Sequence, residues 1–251
     1  MPKTCWTAIG VDPYHDLVST IDKHTDPIIP SAFKPLKNLL EQQIQEGLHP
    51  GAQLCVAIDG KVIADFGVGE TVVGSGVQVT NDSIMPLFSS AKPITAVALG
   101  VLVDSGRLNF DDPVISHIPE FGAHGKSTIQ IKHILNHTSG MADDALADGV
   151  TSRAEVIARL SDSRMMDGWS PGARSAYIPT AGWHILGEVV ERASGSSVES
   201  FVEDFVLNPL GMDNTYPNVN PELATELGDR RASMHDSRRE PMVVNMAYSP
   251  E

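Results

Sequence analysis

Residues 88–96 read FSSAKPITA, and this stretch opens a long apolar run that ends at Val103. Within the run, apolar residues recur with the spacing of one helix face, and most of the remaining positions are apolar too. A helix that is apolar nearly all round is usually buried. The sequence therefore predicts a central buried helix with Ser89 and Lys92 on its first turn. Pro93 is compatible with that turn, because the first N–H groups of a helix have no intrahelical acceptor.

Ser89 and Lys92 together form the pattern Ser-x-x-Lys. Residues three apart on a helix share a face, so the Lys92 amine can reach the Ser89 hydroxyl. A serine becomes a nucleophile when a neighbouring base takes its proton, and burial favours the neutral lysine that can act as this base. On this motif alone we prefer a simpler interpretation, because a serine that opens a helix is more often an N-cap residue.

The composition limits the partners and the compartment. The 251 residues are 41% hydrophobic and 20% charged, which is typical of a globular protein. The net charge of −14 argues against nucleic acid or an anionic membrane as a partner. Neither a signal-peptide pattern nor a run of roughly 18 apolar residues is visible, so we expect a cytoplasmic protein. Cys55 lies in an apolar run and is expected to be a buried free thiol, with a disulfide to Cys5 as the alternative.

The order of predicted elements indicates an α+β fold. A helix from Ala32 to about Gly47 precedes a strand hairpin at residues 52–66, and the chain is mostly helical afterwards. This order lacks the regular β-α alternation of a doubly wound sheet. The predicted divisions are an N-terminal extension at residues 1–30 and the N-terminal part of a sheet domain at 31–80. A helical domain with the motifs follows at 81–215, and a polar return segment at 216–251.

Two other patterns suggest binding sites, but neither is complete. Residues 125–127 read GKS like the end of a phosphate loop, but Glu120 stands where that loop needs a glycine. His133 and His137 are four residues apart, as metal ligands on a helix can be, but no third ligand is evident. We therefore expect structural roles for both histidines, and neither a metal nor an organic cofactor.

Three separated stretches then agree with one family. They are SSAKPITA at 89–96, ILNHTSGM at 134–141, and Pro171-Gly172 leading to Tyr177 and to Leu186-Gly187-Glu188. Their order and spacing resemble the serine β-lactamase-related hydrolases, the superfamily of class C β-lactamases, penicillin-binding proteins and carboxylesterases. The resemblance reverses the preference for an N-cap serine. It implies a β-lactamase-like fold with an antiparallel sheet domain and a helical domain.

The resemblance also implies roles for individual residues. Ser89 corresponds to the acylated nucleophile, Lys92 to its activating partner, and Tyr177 to the tyrosine of the family's Tyr-x-Asn motif, which relays protons. Pro179 replaces the asparagine of that motif, as in the esterase and acyltransferase branches rather than in true β-lactamases. The family's third motif, Lys-Thr-Gly or His-x-Gly, is not found after Tyr177. We therefore expect a truncated member whose C-terminal sheet strands are missing.

The resulting hypothesis is a serine hydrolase that acts on a small-molecule ester or amide through an acyl-enzyme on Ser89. Carboxylesterase or transesterase activity on small acyl esters is preferred because of Pro179. The alternatives are a catalytically silent fragment or binding module of the same fold, and β-lactamase or D-Ala-D-Ala peptidase activity. The sequence leaves the oligomeric state open.

Overall fold

The computed structural model describes residues 26–142, 152–236 and 243–246. Helices and strands both occur in this part of the chain, and the strands pair antiparallel. In chain order, the main elements are α1 (Lys34–Gln45), β1 (Gly51–Ile58), β2 (Lys61–Gly69), α2 (Lys92–Asp104), α3 (Ile131–Leu135), α4 (Arg153–Asp162), α5 (Ala181–Ser194), α6 (Val198–Val202), α7 (Pro221–Leu227), β3 (Met234–Asp236) and β4 (Val243–Met246). The predicted α+β class is confirmed.

The contacts divide the described residues into two compact units, one of residues 26–87 with 209–236 and 243–246, and one of residues 88–142 with 152–208. The domain boundaries predicted from the sequence remain a prediction. None of the helices in the described residues is both long and apolar enough to span a membrane.

The first unit is built on the hairpin of β1 and β2, which the sequence predicted. Asp59 and Gly60 connect the strands with φ values of 50° and 75°, the positive angles that a two-residue turn requires. Alternate residues of β2 share one face, and this face forms the core of the unit. Its buried residues are Ala64, Phe66 and Val68, and partly buried residues that include Phe33, Leu40 and Ile44 pack against them.

Cys55 was predicted to be buried, and this prediction is wrong. It lies on β1 opposite Asp65 of β2, and its side chain is exposed. An apolar run in a strand does not reveal which face each residue takes, because successive side chains point to opposite faces. Partial burial, and then the charge of Asp65, raise the pKa of the Cys55 thiol. Cys5 lies outside the described residues.

The second unit packs its helices around α5. This helix contacts α2, α3, α4 and α6. Gly182, on its first turn, allows close approach to α3, because a β-carbon there would lie 2.7 Å from Ile134 Cγ2. Gly195 ends the helix with a φ of 76°, the left-handed conformation that glycine adopts readily.

The helix α2 is buried less completely than the sequence predicted. Its inner face contains Ala98, Leu99 and Leu102, all nearly inaccessible to solvent. Val97 is 50% exposed, so one side of the helix faces solvent even though its sequence is apolar. The helix begins at Lys92, as its predicted place on the first turn requires, but Ser89 lies in a 3-10 turn at Phe88–Ala91 that precedes the helix.

Candidate active site

Ser89 and Lys92 are brought together at the start of α2. Ser89 lies in the 3-10 turn, Lys92 is the first residue of the helix, and the Lys92 Nζ donates a hydrogen bond of 2.8 Å to the Ser89 Oγ. The contact follows from the three-residue spacing in a helical segment. Directly before the serine, Phe88 has a φ of 48°. Such backbone strain in a non-glycine residue is concentrated at functional sites.

Tyr177 reaches the same serine from a loop 88 residues further along the chain. Its hydroxyl lies 2.6 Å from the Ser89 Oγ, and either oxygen can be the donor. Tyr177 as a whole residue is 58% exposed, so the site opens to solvent. The Ser89 oxygen is therefore contacted at the same time by an amine and a phenol, two groups able to take or give a proton.

Two aromatic rings face the amine of Lys92. Its Nζ lies 5.6 Å from the ring centre of Tyr177 and 5.2 Å from that of Trp183, on the first turn of α5. Both distances are within the range of cation–π attraction. The rings therefore help to hold the amine beside the serine when it carries a proton.

His137 also belongs to this cluster, because its ring packs against that of Tyr177. Its ring centre lies 4.7 Å from that of Tyr177, with the two planes tilted by 47°. Its Nδ1 accepts a hydrogen bond of 3.2 Å from the backbone N–H of Ile178, and its carbonyl oxygen accepts one of 2.9 Å from that of Ala176. Burial, and then the nearby charge of Lys92, hold the pKa of His137 below its usual range. The sequence suggested only a structural role for this residue.

The turn after His137 secures the beginning of the Tyr177 loop. The carbonyl oxygen of Thr138 accepts hydrogen bonds of 3.0 Å from the Gly172 backbone and 3.0 Å from the Trp169 indole. A β-carbon at Gly140 would lie 2.2 Å from the Trp169 ring, and the φ of this glycine is 74°. The HTSG stretch therefore acts as the support on which the loop with Tyr177 rests.

The two patterns set aside in the sequence have structural explanations. Lys126, from the GKS tripeptide, is completely buried, and its amine donates to the carbonyl oxygens of Ser161 and Ser163. The Nδ1 of His133 accepts from the backbone N–H of Gln130 and so caps its own helix. Over the described ranges, no three His, Cys, Asp or Glu side chains are grouped to hold a metal ion.

Most of this chain is similar to known proteins of one family. The Beta-lactamase family model matches residues 36–250. Penicillin-binding protein 4 of Amycolatopsis lactamdurans is 36% identical over 169 residues, which are 65% of this chain and 43% of that protein. Other curated relatives are covered over 37% of their length. The chain thus spans about two fifths of the length of these relatives.

Solved structures show the same fold. A penicillin-binding protein homologue from Caulobacter crescentus matches with a TM-score of 0.65 and 27% identity, covering 74% of this chain and 51% of that one. A family VIII carboxylesterase matches with a TM-score of 0.70 over 83% of this chain and 57% of that one. Its identity is 24%, so this likeness concerns the fold alone. The family match over most of the sequence shows that this chain, with its serine, lysine and tyrosine cluster, belongs to the Beta-lactamase family.

Proposed function

We propose that this chain carries the catalytic site of a serine hydrolase, with Ser89 as the nucleophile that becomes acylated. The observation that supports this most directly is the double contact of the Ser89 Oγ, with the Lys92 amine at 2.8 Å and the Tyr177 hydroxyl at 2.6 Å. Both distances are those of proton-transferring hydrogen bonds. Membership of the Beta-lactamase family supports serine-hydrolase chemistry in general.

The proposed reaction has two halves. In the first, the Ser89 Oγ attacks the ester carbonyl carbon while its proton passes to Lys92 or Tyr177, and the ester C–O bond then breaks. The group that took the serine proton, a neutral Lys92 amine or a Tyr177 phenolate, passes it to the leaving alcohol through the Tyr177 hydroxyl, and the acyl group remains on the serine. In the second half, water gives up a proton to the same groups and attacks the acyl carbon, the bond from this carbon to the Ser89 Oγ breaks, the proton passes to the Ser89 Oγ, and the acid is released. The backbone N–H of Ser89 lies at the N-terminal end of a helical segment, where it is suited to stabilise the oxyanion.

We further propose a small acyl ester as the preferred substrate. Pro179 stands where the family's Tyr-x-Asn motif has an asparagine, and proline has no side-chain amide with which to hold an amide or lactam carbonyl. Pro179 is exposed beside Tyr177, so the ester must be held by other contacts. Carboxylesterase or transesterase activity is therefore the preferred function.

A penicillin-like substrate is the second candidate, because a relative 36% identical to this chain is named a penicillin-binding protein. Turnover of p-nitrophenyl butyrate and of a chromogenic cephalosporin distinguishes the two candidates. We expect a higher kcat/KM for the ester. A higher value for the cephalosporin would contradict the ester preference while leaving the role of Ser89 intact.

The role of Ser89 is tested separately with a fluorophosphonate probe, which reacts with activated serines. Peptide mass spectrometry should locate the adduct on Ser89, and Ser89→Ala should abolish it. Ser90→Ala is the matched control, because Ser90 is an exposed serine of the same 3-10 turn. A folded chain that forms no adduct would favour the catalytically silent binding module instead.

The location and the partners remain predictions from the sequence. The net charge of −14 is the reason for expecting neither nucleic acid nor an anionic membrane as a partner. The cytoplasmic location rests on the sequence patterns alone.

A further inference from the structure

We propose that His137 is a positioning residue that holds Tyr177 in place by binding the backbone on both sides of it and by packing against its ring. This inference rests on the proposed function, since it assigns a task within the same site. Three contacts carry it: the Ala176 N–H to the His137 carbonyl oxygen, the Ile178 N–H to the His137 Nδ1, and the contact between the two rings.

The contacts leave Tyr177 little freedom. The hydrogen bonds of 2.9 Å and 3.2 Å hold the backbone N–H groups of Ala176 and Ile178, the residues on either side of Tyr177. The ring contact at 4.7 Å then restricts the direction of the side chain. A loop residue that is 58% exposed lacks the close packing that fixes a core residue. His137 supplies this constraint.

His137 is itself attached to the packed interior of the second unit. Its backbone N–H donates to the carbonyl oxygen of Ile134 at 3.1 Å, so His137 is hydrogen-bonded to α3 just after the helix ends. The α3 residues Ile131 and Ile134 are buried, and α3 packs against α5. We call the three contacts of His137 with residues 176–178 the clamp. The clamp connects the packed helix α3 to the exposed loop with Tyr177.

The backbone conformation of His137 indicates that this position is constrained. Its φ of 59° lies in the left-handed region, which is unusual for non-glycine residues, although asparagine, aspartate and histidine adopt it more often than others. Histidine combines tolerance of this conformation with a flat ring and an acceptor at the Nδ1 position. A structural residue that only filled space would not need the acceptor.

The acceptor role requires that Nδ1 carries no proton. In a protonated imidazole both nitrogens are donors, so the bond from the Ile178 N–H would be lost. The titratable groups that face the ring are Tyr177 and, from α2, Lys92. Both the burial of the ring and the Lys92 charge favour the neutral form, in agreement with the observed hydrogen bond.

The precision of this arrangement matters for the proposed chemistry. The Tyr177 hydroxyl must stay within hydrogen-bond distance of the Ser89 Oγ, where it lies at 2.6 Å. Misplacement of a catalytic group by about 1 Å can cost on the order of 10²-fold in rate. Loss of the clamp is therefore expected to lower kcat and to change KM little, since His137 is not proposed to contact the substrate.

Two substitutions separate the ring from the acceptor. His137→Phe keeps a flat ring but removes the acceptor, and we expect kcat for p-nitrophenyl butyrate to fall about 10²-fold. His137→Asn removes the ring but places its Oδ1 on Cγ, as the Nδ1 of histidine is placed, and it suits a positive φ. We expect His137→Asn to recover most of the lost rate. His133→Phe is the matched control, because its histidine also accepts a backbone N–H, but from Gln130.

Hydrogen exchange measured by mass spectrometry provides a readout besides activity. The peptide that contains the amides of Ala176 and Ile178 should exchange faster in His137→Phe than in the wild type. In His133→Phe its exchange rate should equal that of the wild type. The dependence of kcat on pH provides a second readout. In the wild type, protonation of His137 should lower kcat on the acid side of the profile, and in His137→Asn this decrease should be absent. A merely structural role of His137 would leave the profile the same in both.

The outcomes separate this inference from the proposed function. One outcome is that the fluorophosphonate probe labels Ser89 in the wild type while His137→Phe has the wild-type kcat and the wild-type exchange rate in the peptide with Ala176 and Ile178. That result overturns the positioning role and leaves the proposed function intact. Equal losses in the phenylalanine and asparagine variants would overturn it too. If the wild-type chain does not label at all, the proposed function fails first, and a positioning role in catalysis fails with it.

Discussion

The substitution Tyr177→Phe tests the contact on which the proposed chemistry depends. It removes only the hydroxyl that lies 2.6 Å from the Ser89 Oγ. The ring keeps its contacts with His137 and with the Lys92 amine, at 4.7 Å and 5.6 Å. The variant should therefore fold as the wild type does. Because the hydroxyl is part of an exposed side chain, we expect its loss to change the free energy of unfolding by less than about 1 kcal/mol.

The expected effect on catalysis is much larger. A positioned acid–base group contributes on the order of 10²–10⁴-fold in rate. Lys92 remains bonded to the serine in the variant, so we expect the lower part of this range. A loss of about 10²–10³-fold in kcat corresponds to roughly 2.7–4 kcal/mol of transition-state stabilisation. KM should change little, because the hydroxyl is proposed to exchange protons in the transition state rather than to hold the bound ester.

The assay is steady-state hydrolysis of p-nitrophenyl butyrate, with thermal unfolding as the check on folding. Tyr216→Phe is the matched control, since it removes a phenolic hydroxyl in the other compact unit. A Tyr177→Phe enzyme whose kcat stays within about threefold of the wild type would refute the proton-relay role.

Two further predictions concern Pro179 and Lys126. Pro179→Asn should raise the ratio of cephalosporin to ester kcat/KM, because it restores a side-chain amide beside Tyr177, and an unchanged ratio would argue against this explanation of substrate preference. Lys126→Met leaves the carbonyl oxygens of Ser161 and Ser163, the first buried and the second partly buried, without their lysine donor, and should lower the free energy of unfolding measured in urea by about 1–3 kcal/mol. Burial lowers the pKa of Lys126 in the folded chain. At a pH between this lowered value and the unfolded value of about 10.4, the unfolded chain binds more protons than the folded chain does. The free energy of unfolding therefore rises with pH in this window. The difference in unfolding free energy between wild type and Lys126→Met should therefore grow from pH 8 to pH 10, and a difference that shrinks would contradict it.

Local features of the fold and of the site could be predicted from the sequence, because they depend on the spacing of nearby residues. The hairpin of β1 and β2 followed from its apolar runs and the Asp59-Gly60 turn. The contact between Ser89 and Lys92 followed from helical spacing. Tyr177 lies 88 residues from Ser89 in sequence, and no periodicity connects them, so its position depended on the family resemblance.

Most of the features that were missed depend on tertiary packing. His137 belongs to the HTSG stretch, but its four-residue spacing from His133 directed attention to metals rather than to Tyr177. Burial of Lys126 was not predicted, since lysine is normally exposed and its carbonyl partners, Ser161 and Ser163, lie at the distant C-terminal end of α4. The helix α7 was missed in a polar region, although Asn220 caps it and Pro221 follows at its first position, which is a recognisable start signal.

The central claim is that Ser89 forms a covalent acyl-enzyme, and trapping that intermediate tests it most directly. The chain would be mixed with p-nitrophenyl butyrate, quenched in acid within the first turnovers, digested and analysed by peptide mass spectrometry. We predict one butyryl group on Ser89, which is absent from Ser89→Ala and retained in Ser90→Ala. Turnover of the ester with no acyl group on Ser89, or with equal turnover by Ser89→Ala, would contradict the account.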